Sequence, residues 1–163
     1  MKIYIIGSPG SGKTTLAKVL SKRHNIKHYE LDCIVYDDNN NHRKRTKEEI
    51  EKLFSNILKN KSFIIEDVGR NKFKKGRETC DKIYYIKLKK YEIYKHIIKR
   101  WLKQRLGKEK YNYPPTIHQF FGTIKDVKNY SKIEKTRLSE LNKYKDKITF
   151  LNKKELNNLL KEW

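Results

Sequence analysis

Three of the chain's seven glycines, Gly7, Gly10 and Gly12, fall within six residues, in the run "GSPGSGKTT". From Gly7 to Thr14 this run fits G-x-x-x-x-G-K-[ST] in full. Those residue types suit one task. A phosphate chain is wrapped by inward-pointing backbone N–H groups, and glycine adopts the necessary angles without a Cβ clash. A helix starting at Lys13 adds free N–H groups and the positive end of its dipole. Ser8, Pro9, Gly10, Ser11, Gly12, Lys13, Thr14 and Thr15 are therefore the candidate phosphate-binding residues. Lys13 would reach the β and γ phosphates, and Thr14 would offer an oxygen to Mg²⁺.

Acids and arginines supply the second set of candidates. In "YELDCIVYD", Glu30 and Asp32 stand two apart and point to one side of a strand end. In "FIIEDVGR", Glu66, Asp67 and Arg70 follow another apolar run. Arginine is scarce, eight against thirty-two lysines, and its planar fork suits phosphate better than an ammonium. Arg70, Arg100, Arg105 and Arg137 are therefore candidates for an anionic substrate, the alternative being ordinary surface ion pairs. Asp32 reads as a ligand-crevice acid or a turn cap, Glu66 as a magnesium-side acid or a cap. Either Glu66 or Asp67 could be that acid. The aromatics Tyr111, Tyr113 and Phe120, with His118, either pack a flap or stack a base.

The elements that must hold these residues follow from periodicity. Apolar runs at Lys2–Ile6, Ile26–Glu30, Ser62–Ile65, Lys82–Ile86 and Lys147–Leu151 read as strands. Between them come helices at Lys13–His24, from Thr46, at Tyr91–Leu106, from Ser131 to about Tyr144, and at Lys154–Trp163. Thr46/Glu49 and Ser131/Glu134 match the capping-box spacing. Ile93, Ile97, Ile98, Trp101 and Leu102 are expected to face inward, with Gly107 as a C-terminal cap. Asp37–Arg45 reads as a polar loop and Lys108–Phe121 as a loop or mobile flap. Alternating strands and helices predict an α/β three-layer domain on a five-stranded parallel sheet, with ligands at the strands' carboxyl ends. One domain is expected over 1–163, with an acceptor-side insertion at about 32–60 and a lid at about 106–121.

Composition narrows the class. The formal charge is +21, yet the lysines are spread along the chain, so a solvated basic surface competes with a polyanionic partner. No apolar run approaches the ~20 residues of a membrane span. Two cysteines, Cys33 and Cys80, make neither a disulfide framework nor a zinc site, which suits a cytoplasmic protein. No N-K-x-D guanine motif occurs, so a GTPase is not expected, and no cysteine between Arg100 and Phe121 could clamp a lid with zinc.

Several stretches together carry a family resemblance. They are "IIGSPGSGKTTLA" (Ile5–Ala17), Leu31-Asp32, Asp81 in "CDKIYYI", "IIKRWLKQRLGK", and Asn129-Tyr130 leading to Arg137. The chain resembles the adenylate kinase-related P-loop kinases, a group that includes nucleoside monophosphate, shikimate and gluconate kinases. Within it the chain is most similar to proteins labelled "DNA topology modulation protein". The resemblance implies that Asp32 faces the acceptor or the magnesium waters. Glu66 and Arg70 match the first and last residues of D-G-F-P-R. Arg100 and Arg105 match lid arginines on the transferred phosphoryl group, and Arg137 a late helix arginine. Glu66-Asp67-Val68-Gly69 departs from D-G-F-P and D-G-N-Y, and Tyr36 stands where relatives carry tryptophan. Both departures lie at the acceptor pocket and leave acceptor identity open. The implied activity is ATP- and Mg²⁺-dependent phosphotransfer to a small acceptor, a nucleotide or nucleoside first. The other reading is an ATP-binding, nucleic-acid-associated protein with weak ATPase activity. No membrane partner is expected, and the oligomeric state is open.

Overall fold

The computed structural model describes residues 1–37, 43–109 and 114–161. In chain order the elements are β1 (Lys2–Gly7), α1 (Lys13–His24), β2 (His28–Glu30), α2 (Leu31–Val35), β3 (Tyr36–Asp37), β4 (Arg43–Lys44) and α3 (Lys47–Leu58). Then come β5 (Phe63–Asp67), α4 (Lys74–Thr79), β6 (Lys82–Ile86), α5 (Lys90–Arg105), α6 (Ile117–Leu141), β7 (Ile148–Leu151) and α7 (Lys153–Lys161). Short 3₁₀ turns precede α4 and follow α6.

Five strands form one sheet in the order β2-β5-β1-β6-β7, every neighbouring pair parallel. The strand period of two divides its side chains between two cores. Tyr4, Ile6, Phe63, Ile65, Ile83 and Tyr85 face α3 and its neighbours, with Ile50, Phe54, Ile57 and Phe73. Ile3, Ile5, Ile64, Tyr84 and Ile86 face the other way, onto Leu16, Ala17 and Leu20 of α1 and Leu156 of α7. Burying one such isoleucine or phenylalanine contributes about 1.5–3 kcal/mol relative to exposure. The helices after β1 and β5, neighbouring strands, thus lie on opposite faces of the sheet. A crevice opens between such strands at their carboxyl ends.

The expected α/β three-layer fold is present. The Thr46 cap is formed: its hydroxyl accepts from Glu49 N–H at 3.3 Å, and Glu49 Oε2 accepts from Thr46 N–H at 2.7 Å. Gly107 closes α5 at φ +67°. Four expectations are corrected. Ser131/Glu134 opens no helix, because α6 already runs from Ile117, capped by the Thr116 hydroxyl on Gln119 N–H, and the Ser131 hydroxyl donates back to Val127 O at 3.0 Å. The stretch read as a flap to Phe121 is therefore helical from Ile117; Tyr111 and Tyr113 lie outside the described residues. Ile98 and Leu102 face solvent, since α5 packs one side only, Ile93 and Ile97 meeting Val127 of α6. Tyr36–Asp37 and Arg43–Lys44 pair as a short antiparallel ladder where a loop was expected, the middle of that loop lying outside the described residues. Glu162 and Trp163, expected in the last helix, also lie outside them. The short helices α2 and α4 had no counterpart in the periodicity. Among the described residues, no helix is long and apolar enough to cross a membrane.

Candidate functional site

Pro9 and Gly10 set the shape of the glycine loop. Ser11 N–H donates to Ser8 O at 3.2 Å, with Pro9 second and Gly10 third in the turn, Gly10 at φ +74°. Proline pre-sets the second position of such a turn, and glycine takes the positive φ of the third. A Cβ on Gly10 would stand 2.7 Å from Ile97 of α5, and one on Gly7 2.5 Å from Ser11 Oγ. At Gly12, φ +94°, nothing approaches closer than 3.7 Å, so conformation alone favours glycine there. Packing against α5 is therefore a second reason for glycine at position 10, beside phosphate access.

Lys13 opens α1 and turns its ammonium back to Ser8 O at 2.9 Å. Burial lowers its pKa, while the carboxylates of Glu66, Asp32 and Asp67 pull it up less strongly. The same crevice holds Glu66, the β5 residue paired with Ile5 of β1, which is 5% exposed. Burial raises its pKa to about 7, against the opposing pull of Lys13 and a hydrogen bond from Thr14. Glu66 Oε1 is buried without a protein partner, as is Ser11 Oγ. An orphaned carboxylate oxygen beside a threonine hydroxyl is a hard-oxygen pair of the kind magnesium prefers. The described residues hold no His/Cys/Asp/Glu group able to bind a metal alone, so Thr14 and Glu66 would share such an ion with phosphate oxygens and water. Thr15 is exposed on α1.

Beyond Glu66 the chain turns sharply, and Asp67 is the staple. Its Oδ2 accepts from Gly69 N–H at 2.8 Å, from Arg70 N–H and from Tyr4 O–H at 3.4 Å. Its Oδ1 accepts from Arg70 Nη1 at 2.8 Å. The other end of the Arg70 guanidinium donates to Asp32, which is the second residue of α2 and so does not share a strand side with Glu30 as their spacing suggested, because β2 ends at Glu30. Arg70 thus ties the end of β5 to the segment after β2. Burial alone would lower its pKa, but Asp67 and Asp32 together raise it. The Arg70 carbonyl accepts from buried Arg77 at 2.9 Å.

Arg137 of α6 completes this group. Its Cδ and Nε lie 2.7 Å from where a Gly69 Cβ would stand. Its guanidinium rests over the Tyr130 ring at 4.5 Å, and its Nη1 is buried without a protein partner. Tyr130 O–H donates to Tyr85 Oη at 3.1 Å, and Tyr85 O–H to Glu134 at 3.2 Å, anchoring that ring to β6.

The remaining arginines behave differently. Arg100 is exposed and lies 3.6 Å from Glu109, and exposed Arg105 covers the Trp101 ring at 5.2 Å. Phe120 packs on Trp101 at 5.3 Å, and His118 is exposed. Thus Lys13, Thr14, Glu66, Asp32, Arg70 and Arg137 meet around one crevice, whereas Arg100 and Arg105 are exposed toward the C-terminal end of α5, engaged with Glu109 and Trp101. Sequence reasoning missed Arg77 and His96. An arginine in "KKGRET", in a chain rich in lysine, was a signal for Arg77; nothing in the sequence pointed to His96, whose Nδ1 lies 3.1 Å from Gly10 O.

Comparison with known proteins gives this geometry a context. A family model described as an AAA domain matches residues 3–114, more than half of the chain. An adenylate kinase of Wigglesworthia glossinidia brevipalpis is 33% identical over 118 residues, which is 61% of this chain and 56% of that protein. The chain thus spans little more than half the length of that curated relative. Among solved structures, an uncharacterized protein from Eubacterium ventriosum ATCC 27560 superposes with a TM-score of 0.54 at 17% identity, covering 98% of this chain and 93% of that one. A shikimate kinase from Bacteroides thetaiotaomicron superposes with a TM-score of 0.52 at 15% identity, covering 81% and 80%. These structural likenesses speak for the fold. The phosphate loop, the parallel sheet and the matched family agree: the chain belongs to the AAA-domain family and is related, among P-loop proteins, to the kinases.

Proposed function

We propose that the protein is an ATP-dependent phosphotransferase acting on a small acceptor, with a nucleotide or nucleoside as the first class to test. One observation carries this reading. Arg70, bound to Asp67 and Asp32, and Arg137 against Gly69 gather two guanidinium groups and an exposed carboxylate beside the phosphate loop. A nucleotide-binding switch needs the loop; an acceptor site needs this second group.

Phosphoryl transfer asks mainly for positioning and for positive charge around the moving oxygens. Lys13 supplies charge at the β and γ phosphates. A magnesium ion held by Thr14 and Glu66 would neutralise phosphate charge when bound. Arg137, with an unpartnered N–H, would take an acceptor anion or the transferred group. Asp32, exposed and oriented by Arg70, would accept the proton of an acceptor hydroxyl or order a magnesium-bound water. Arg100 and Arg105 would join only if α5 and the residues after it closed over the loop.

The test is a coupled ADP-release screen over nucleosides, nucleotides and small hydroxy acids, with Lys13→Ala as the control that loses turnover. At least one class should accelerate ADP release by about a hundredfold or more, the lower end of what a positioned acid or base supplies. If no acceptor accelerates release while nucleic acid does, the topology-modulation reading replaces this one.

A further inference from the structure

We propose that His96 is a positioning residue of the phosphate loop, pinning the Gly10 carbonyl through a tautomer that Lys153 selects. The proposal rests on the loop being the ATP site. His96 lies mid-α5, between Ile93 and Ile97, which press on Gly10 from outside the loop. Its Nδ1 meets Gly10 O at 3.1 Å and its Nε2 meets Lys153 Nζ at 2.9 Å. A lysine ammonium donates and cannot accept. Nε2 must therefore be the bare, accepting nitrogen, and the single ring proton sits on Nδ1, where it donates to Gly10 O. The partner on one nitrogen decides what the other can do.

Lys153 is itself held in place. It opens α7, where Asn152 Oδ1 accepts from Lys154 N–H at 2.9 Å and Glu155 N–H at 3.1 Å, while Asn152 N–H donates to Glu155 at 2.7 Å. Leu156, one turn later, faces Gly12. Two helices distant in sequence, α5 and α7, thus converge on the loop.

The consequence is geometric. A peptide unit is planar and trans, so its C=O and N–H point in opposite directions. Holding Gly10 O against α5 turns Ser11 N–H across the loop toward Ser8 O, as observed at 3.2 Å. Without His96 the Gly10–Ser11 peptide, flanked by a glycine with little conformational preference, is held only by the bond from Ser11 N–H to Ser8 O and rotates more readily. Phosphate binding would then have to order it.

Asparagine and glutamine separate the two ends of the imidazole. In His96→Asn the shorter amide would reach the position of Nδ1, and in His96→Gln the longer amide would reach that of Nε2. Binding of a fluorescent ATP analogue with Mg²⁺, and amide hydrogen exchange at Ser11 without nucleotide, are measured for wild type, His96→Ala, His96→Asn and His96→Gln. His96→Ala should weaken binding by up to about tenfold, the scale of one net hydrogen bond, and speed Ser11 exchange. His96→Asn should restore most of both, and His96→Gln neither. Equal behaviour of the Asn and Gln variants, or unchanged Ser11 exchange in His96→Ala, overturns the proposal. Absence of ATP binding in the wild type overturns the phosphotransferase reading instead, and the exchange measurement still decides the role of His96.

Discussion

Arg70 and Glu66 carry the sharpest consequences at the scale of single residues. Arg70 uses both arms of its fork, one on each of two carboxylates, and a lysine offers only a point charge there. Arg70→Lys should raise the KM of a phosphorylated acceptor by about tenfold while nucleotide affinity at Lys13 stays nearly unchanged. Steady-state kinetics with the best acceptor check this; an unchanged KM removes Arg70 from the acceptor site. Glu66 makes a prediction in pH. Its folded pKa of about 7 lies above its ordinary 4.5, so the folded protein holds this proton more tightly than the unfolded chain. The group's contribution is complete below the ordinary value and is lost as pH rises through the folded one. The full swing is about 3 kcal/mol, taking 1.36 kcal/mol per pKa unit. Thermal melts should show wild type losing stability from pH 5 to 8 relative to Glu66→Gln; parallel profiles would mean that Glu66 does not titrate in that window.

Elements place these groups through a few contacts between helices and loops. Gly69 is the example. Its φ of +89° and the closeness of Arg137 leave no room for a methyl group. Gly69→Ala should cost about 1–2 kcal/mol in backbone strain, measured by denaturant unfolding. It should also push Arg137 aside, weakening acceptor binding while ATP binding persists. A variant with wild-type stability and acceptor affinity would show that the β5 turn and α6 are less tightly coupled than the contact implies. The long α6 matters here. Arg137 lies twenty residues into one continuous helix, stacked on Tyr130, whose hydroxyl reaches β6. Its position is therefore tied to the sheet and not only to a loop.

At the scale of the whole molecule the dominant fact is the charge of +21. Like charges spread over a compact surface repel, and unfolding relieves that repulsion. Raising NaCl from about 0.01 M to about 0.15 M shortens the screening length from about 30 Å to about 8 Å. The Tm should rise over that range, and association with nucleotide triphosphate should slow, because the attractive field is screened as well. A Tm that stays flat or falls would mean that the lysines are already neutralised by local pairing. Among the described residues, Lys74 pairs with Glu78 at the surface.

The sequence by itself determined the phosphate loop, the α/β class and the strands of the sheet. These depend on local chemistry: a glycine spacing, a capping pair at Thr46 and Glu49, and apolar runs of strand length. It also put Glu66, Asp32 and Arg70 at or just after the strands, because apolar runs of strand length mark where strands end, but that Asp32 stands in a helix came only with the structure. Tertiary structure decided the rest. Ser131 and Glu134 have the capping spacing, but α6 passes through them because Thr116 had already capped the helix. Ile98 and Leu102 have the apolar period of an inward face, but α6 covers only one side of α5. His96 looks like a solvated histidine until Gly10 and Lys153 arrive from 86 residues before it and 57 after it. A contact between residues so far apart leaves no local pattern, because it is made by packing and not by the chain's own geometry.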